Sequence, residues 1–236
     1  LGKKLELLRQ RLFLELQGVI DRVPREALRE YDLLGITAES LVEPLYEVGV
    51  RLQFDEHAPE CDTAVFEGAQ GVLLDEWYGF HPHTTWSTGT PHHALELAVR
   101  NKAEEVCVLG VTRAYTTRHG AGPLPSQDEG LTARVRDVGN PWNAWQGSLR
   151  AGWLDLVLLR YAAGACAPLD NLAVSCLDHL EHGEARACIG YEDCEELPLP
   201  LGPDLGQQER LNALLQVARP VYRSATKGEV LRVLGE

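Results

Sequence analysis

The hydrophobic and polar positions follow two different periods along the chain. Over residues 3–17 the leucines recur at roughly every third or fourth position, which predicts a helix with one apolar face. The same spacing predicts helices over 24–31, 40–51, 91–101, 152–163, 207–217 and 227–234. Short apolar runs predict strands over 63–66, 105–111, 172–175, 185–191 and 220–222. Because strands alternate with helices, we expect an α/β fold with a mostly parallel sheet flanked by helices.

The pattern shows no internal repeat and no clear linker, so we expect a single α/β domain over 1–236. Residues 1–60 form its mainly helical segment, and residues 62–236 form the part that builds the sheet. In parallel sheets, ligands bind at the carboxyl ends of the strands. The segments that follow predicted strands, 67–71, 115–123 and 176–178, are therefore where function is expected.

Charge and composition narrow the class of partner. The 236 residues include 22 Lys and Arg against 35 Asp and Glu, a net charge of −13, which argues against binding to nucleic acid or to an acidic membrane surface. No apolar run approaches the roughly 18 residues of a membrane span, so we expect a soluble, cytoplasmic protein. The six cysteines are irregularly spaced and are expected to be reduced, mostly buried thiols.

Two of the strand-end segments carry side chains suited to a nucleotide. In the first, the amide of Gln70 follows a turn of small residues and can both donate to and accept from a purine edge. In the second, residues 115–123 place hydroxyls, the Arg118 guanidinium and glycines in a loop whose N–H groups can wrap a ribose or phosphate. The alternatives are a tight structural turn and a glycine-rich connection with an exposed arginine.

A histidine-rich stretch offers a different class of function. Imidazoles two positions apart, with a nearby carboxylate, could bind a metal for hydrolysis; the candidates are His57, Asp75, His81, His83, His92 and His93. The alternative is a hydrogen-bonded loop that happens to be rich in histidine.

Five short motifs occur in a characteristic order along the chain: FEGAQGVLLD (66–75), YGFHPHTT (78–85), GVTRAYTTRHGAGPLPS (110–126), AGWLDLVLLRYA (151–162) and LAVSCLDHLE (172–181). Through these motifs the chain resembles the back half of the sequences of the adenylosuccinate synthetase family, whose members have a P-loop-NTPase-like fold. The resemblance implies a ligase of purine nucleotide biosynthesis that phosphorylates the 6-oxygen of IMP at the expense of GTP and lets the amine of aspartate displace the phosphate. It also implies GTP and Mg²⁺ as cofactors and a homodimer.

The resemblance assigns site residues by their place in these motifs. It implies an IMP site with five residues, Gln70, Leu74, Thr85, His119 and Gly120. For GTP it implies Asp178, whose carboxylate would accept from guanine, together with Cys176 and Ser224. Cys176 stands where the family has a lysine.

The chain departs from the family pattern in two places. The arginine-rich loop that binds aspartate is replaced by a tract that includes Trp145 and Gln146 and keeps only Arg150, so the amine donor is aspartate or another amine. The tryptophans of this tract could instead plug the loop into the core. No G-D-E-G-K-G phosphate-binding motif occurs, so no catalytic residue or magnesium ligand is assigned here. The chain, which begins at Leu1 and contains no Met, is either the back part of a longer enzyme or a catalytically inactive nucleotide-binding or subunit module.

Overall fold

The structure is a computed structural model. It describes residues 2–22, 37–51, 61–68, 70–135, 139–180, 185–200 and 202–225. The chain divides into two compact units, residues 1–60 and 61–236, which are described separately. The helices predicted over 24–31 and 227–234 lie outside the described residues, as does His57. The single-domain expectation stays a prediction.

The first unit contains two helices, α1 (Gly2–Ile20) and α2 (Ala38–Gly49), which pack against each other. Thr37 caps α2, because its hydroxyl accepts a hydrogen bond from the backbone N–H of Ser40 at 3.2 Å. Both helices confirm the periodicity seen in the sequence.

The second unit contains the remaining elements. Its described strands are β1 (Leu109–Arg113), β2 (Tyr115–His119), β3 (Leu149–Asp155), β4 (Asn171–Ser175), β5 (Ala185–Tyr191) and β6 (Pro220–Ala225). Its described helices are α3 (His92–Arg100), α4 (Glu129–Arg134), α5 (Leu156–Ala165) and α6 (Leu205–Val217).

The strands form two sheets. β1 and β4 pair in parallel, and the other four strands form a sheet in the order β2-β3-β5-β6. In that sheet β3 pairs with β5 in parallel, whereas the β2–β3 and β5–β6 pairs are antiparallel. The α/β class is confirmed, but the sheets are mixed rather than mostly parallel. The connection from β2 to β3 contains only the six-residue α4 among its described residues, too short for the usual helical crossover between parallel strands.

Four local predictions differ from the structure. The strand predicted over 105–111 begins only at Leu109 and continues to Arg113. Residues 63–66 are not a strand; they have no described strand partner, and Val65 is 87% exposed. Residues 115–119, expected in a loop, form β2. The chain from residue 152, expected to be helical, continues as strand β3 to Asp155 before α5 begins, since a short apolar run does not distinguish a buried strand from a helix.

The start of α5 is set by Asp155. One carboxylate oxygen accepts from the N–H groups of Val157 and Leu158, both at 3.1 Å, and the other accepts from the Tyr191 hydroxyl at 2.9 Å. Burial raises the pKa of this carboxyl. Asp155 stands between the two apolar clusters of the unit, one around Tyr115, Leu131, Trp153 and Leu154, the other around Phe80, Val157, Leu158, Tyr161, Leu211 and Leu215.

The cysteines are free, as predicted, but they are not mostly buried. Cys188 is the buried one, while Cys61 and Cys107 are exposed and the other three are partly exposed. Among the described helices, none combines the length and apolarity needed to cross a membrane.

Candidate functional site

The side chains of Gln70 and Thr85 meet in a small polar cluster. The Thr85 Oγ1 lies 2.8 Å from Gln70 Oε1, 2.9 Å from the carbonyl oxygen of Leu74 and 2.9 Å from Ser87 Oγ. The Gln70 amide donates to Ser87 Oγ at 3.0 Å. Gln70 is exposed and Thr85 half-buried, so the cluster is accessible from solvent. Residues 15 positions apart are therefore brought together, as the sequence-based prediction requires.

Asp75 organises the loop that carries Thr85 and Ser87. Its side chain is buried, and its carboxylate accepts three backbone hydrogen bonds, from Trp77 at 2.7 Å, Tyr78 at 2.9 Å and Gly89 at 2.6 Å. These bonds close the irregular segment 75–89 into a compact loop. Both carboxylate oxygens are thus occupied by the backbone.

Two helices attach the same loop to the body of the unit. Gln208 on α6 donates to the carbonyl oxygens of Glu76 and Trp77 at 2.9 and 2.7 Å. The Tyr161 hydroxyl on α5 donates to the carbonyl oxygen of Tyr78 at 2.9 Å. No local sequence signal could reveal the Gln208 contacts, because they join positions more than 130 residues apart.

A second backbone turn, at residues 120–122, is bound by two arginines. Arg118 Nε donates to the carbonyl oxygen of Ala121 at 2.8 Å. Arg150 Nη2 donates to those of Gly120 and Gly122 at 2.7 and 2.9 Å. All three consecutive carbonyl oxygens therefore accept from guanidinium groups, whose planar forks suit such bridging.

The same Arg118 reaches the first loop. Its Nη2 donates to the carbonyl oxygen of His83 at 2.8 Å, two residues before Thr85. Gly122 leaves room for this guanidinium, since a Cβ there would lie 2.4 Å from Arg118 Nη2, and its φ of +114° favours glycine. The expectation of a glycine-rich connection with an exposed arginine is wrong, because Arg118 is 8% exposed.

The two guanidiniums make this region electropositive. Burial, together with the neighbouring charge of Arg150, lowers the pKa of Arg118 to about 10, which leaves it protonated at neutral pH. Burial also lowers the pKa of Arg150. Desolvation and then these two charges lower the pKa of His83. In the part of the chain that the structure describes, no carboxylate forms an ion pair with either arginine.

The tract before β3 lies on the surface. Asn143 Oδ1 accepts from the N–H groups of Trp145 and Gln146, and the Nε2 of His119 lies 3.1 Å from the carbonyl oxygen of Gly147. Trp142 and Trp145 are 69% and 76% exposed. The idea that these tryptophans plug the loop into the core is therefore wrong.

The residues assigned to GTP lie on strand β6 and in the segment that follows β4. Cys176 directly follows β4 and has a positive φ of +59°. The Asp178 side chain, two residues on, is 76% exposed, with His179 Nε2 at 3.8 Å. Ser224 is exposed on β6, opposite Arg186 of β5. Among the described residues, no hydrogen bond or ion pair joins Asp178 to Ser224.

The described residues do not fit a metal centre. Within those ranges, no group of three or more His, Cys, Asp or Glu side chains could hold a metal ion. The Asp75 oxygens bind backbone N–H groups, and His92 pairs with Glu96 at 3.3 Å. Neither a histidine-based hydrolase site nor a set of Mg²⁺ ligands is supported by these residues.

Most of the chain matches a known protein family. The sequence model of the adenylosuccinate synthetase family matches residues 24–225. The chain belongs to the adenylosuccinate synthetase family. Similar relatives include the adenylosuccinate synthetase of Symbiobacterium thermophilum, 32% identical over 91% of this chain and 51% of the relative, and that of Synechococcus sp. (strain RCC307), 35% identical over 79% of this chain and 44% of the relative.

A solved member of the adenylosuccinate synthetase family shares the fold. The fully ligated enzyme from Plasmodium falciparum superimposes with a TM-score of 0.51 and 25% identity, over 70% of this chain and 39% of that structure. The chain spans about half the length of the curated relatives it matches.

Proposed function

We propose that this chain provides the purine-monophosphate side of an adenylosuccinate synthetase-like, GTP-dependent ligase, which joins an amino acid to the 6-position of IMP or a related purine nucleotide. The observation that carries the proposal is the 2.8 Å contact between Gln70 and Thr85. It supports the assignment because Gln70 and Thr85, which were assigned to IMP from two separate motifs, meet on an accessible surface.

The cluster has the chemistry for a nucleoside monophosphate. The hydroxyl of Thr85 has one proton, for which Gln70 Oε1 and the carbonyl oxygen of Leu74 compete, so a phosphate oxygen can take the place of one of them. Either hydroxyl of the Thr85–Ser87 pair can be the donor. The Gln70 amide keeps one N–H beyond its bond to Ser87, and an amide suits a purine edge. Leu74, His119 and Gly120 complete the proposed IMP site.

The proposal that the chain takes part in binding GTP and Mg²⁺ follows from family membership. GTP would be bound through Asp178, Cys176 and Ser224, and Mg²⁺ would accompany it. Because the described residues contain no set of metal ligands, we assign no Mg²⁺ ligand and no catalytic step to them. A homodimer and a cytoplasmic location remain proposals of the same kind.

The amine donor is proposed to be aspartate or another amine, selected by Trp145, Gln146 and Arg150. The Arg150 guanidinium is already bonded to the carbonyl oxygens of Gly120 and Gly122 and to Gln127 Oε1. A carboxylate of the donor would therefore meet a guanidinium that is part of the turn rather than a free side chain.

Titration calorimetry with IMP tests the proposal. Thr85→Val should weaken binding by roughly 1–3 kcal/mol, because it removes the hydroxyl but keeps the shape. Thr84→Val is the matched control: its hydroxyl makes no hydrogen bond within the described residues, so IMP affinity should stay as in the wild type. An unchanged affinity in the Thr85 variant, or no IMP binding by the wild-type chain, would contradict the proposed site.

A further inference from the structure

We propose that Arg118 is a positioning residue for the nucleotide site: it sets the spacing between the loop that carries Thr85 and the turn at 120–122. The inference rests on the proposed function, because the site it positions is the proposed IMP site. Arg118 itself is too deeply placed to contact the nucleotide and acts through the backbone.

The first argument is that one guanidinium joins the two segments. Arg118 Nε binds the carbonyl oxygen of Ala121, and Arg118 Nη2 binds that of His83, both at 2.8 Å. His83 stands two residues before Thr85, and Ala121 directly follows Gly120. A shift of either segment would break one of these bonds, so the planar fork fixes their relative position.

The second argument comes from the cost of this arrangement. Arg118 and Arg150 are direct cross-strand partners in the β2–β3 pair, and like charges placed opposite each other are unfavourable. Neither forms an ion pair with a carboxylate among the described residues. Both guanidiniums instead bind carbonyl oxygens of the proposed site. These hydrogen bonds account for two like charges at facing positions.

The third argument concerns what the turn offers to a ligand. The carbonyl oxygens of Gly120, Ala121 and Gly122 accept from the arginines, whereas their N–H groups donate no hydrogen bond within the described residues. A peptide whose carbonyl binds a cation has a more strongly polarised N–H, and the peptides of the Gly120 and Ala121 carbonyls carry the N–H groups of Ala121 and Gly122. The Gly122 carbonyl is followed by Pro123, which has no N–H. Successive N–H groups around positive-φ glycines form a receptor for the oxygen atoms of a ribose or phosphate.

The test compares Arg118→Lys with the wild-type chain by amide hydrogen exchange and by IMP calorimetry. Lysine keeps the charge but lacks the fork. We expect faster exchange in both segments, 83–87 and 119–123, with exchange in β5 and α6 unchanged. The IMP dissociation constant should rise about tenfold, as for the loss of one charge-assisted hydrogen bond. Arg160→Lys, at an exposed arginine of α5, is the control and should change neither measurement.

A second variant guards against misfolding of the first. Gly122→Ala places a methyl group against the Arg118 guanidinium and should produce the same paired change in exchange while keeping the arginine. Faster exchange in one segment alone, faster exchange throughout the unit, or an unchanged IMP affinity in Arg118→Lys would overturn the inference. If the wild-type chain binds no IMP, the proposed function fails, and Arg118 has no nucleotide site to position. The amide exchange rates of both segments in Arg118→Lys then show separately whether Arg118 joins the segments.

Discussion

Two irregular segments of the second unit, residues 70–91 and 139–148, differ in how their backbones are held. The first is bonded to the buried Asp75, to Gln208, to Tyr161 and to Arg118, which come from the loop itself, two helices and a strand. In the second, Asn143 Oδ1 accepts from the N–H groups of Trp145 and Gln146, Asn143 forms a backbone bridge to Gly147, and His119 Nε2 lies 3.1 Å from the Gly147 carbonyl oxygen. Irregular backbone can be buried only where its polar groups find partners, and the first segment has them.

The difference predicts different roles at the proposed site. A segment bonded from several elements presents Gln70 and Thr85 in one arrangement, which suits recognition of a fixed group such as a purine monophosphate. A surface segment such as 139–148, whose tryptophans are exposed, is of the kind found at the low-stability end of a structure, where parts that adjust to a ligand occur. The amine-donor side is thus expected to be the adaptable one.

The largest effect on stability is expected from Asp75→Ala, in the first segment. It leaves the N–H groups of Trp77, Tyr78 and Gly89 without their acceptor, and we expect a loss of about 3 kcal/mol or more in the free energy of unfolding. Urea unfolding measures it. Asp75→Asn, which keeps one carbonyl oxygen, should lose less. A loss below about 1 kcal/mol for the alanine variant would show that the loop does not depend on this carboxylate.

A smaller effect is expected at Gln208. Gln208→Leu removes both donors to the carbonyl oxygens of Glu76 and Trp77 and should lower the free energy of unfolding by roughly 1–3 kcal/mol. The loss is limited because the Gln208 Oε1 is buried without a partner and is removed as well. The adjacent Gln207→Leu is the control: this half-buried residue donates to the carbonyl oxygen of Pro198 near the surface, and its replacement should change the free energy of unfolding by no more than about 0.5 kcal/mol. Equal losses for the two variants would argue against a special role of α6.

The smallest effect is expected in the other segment. Trp142→Ala removes a side chain that is largely in solvent, so the free energy of unfolding should change by about 0.5 kcal/mol or less in the same urea measurement. A loss above about 2 kcal/mol, typical of a buried aromatic residue, would mean that this tract packs as firmly as the first segment.

The success of sequence-based prediction varied with the range of the interactions. The helices α1 and α6 were predicted close to their observed ends, as was β5. The strand β3 was taken for the start of a helix, since its apolar residues are buried by partners in β2 and β5 that the local pattern does not contain. Gln70 and Thr85 were predicted from their sequence motifs, whereas Ser87 and the positions of Arg118 and Gln208 were not.

By itself, the sequence determined the α/β class, because local periodicity carries that information. It also determined the family and the identity of the residues expected to bind IMP, because short motifs carry those. Only the tertiary structure decided that the sheets are mixed, that Asp75 supports a loop instead of binding a metal, and that Arg118 connects two segments. The physical reason is that a buried polar side chain is defined by its partners, and here those partners come from distant parts of the chain.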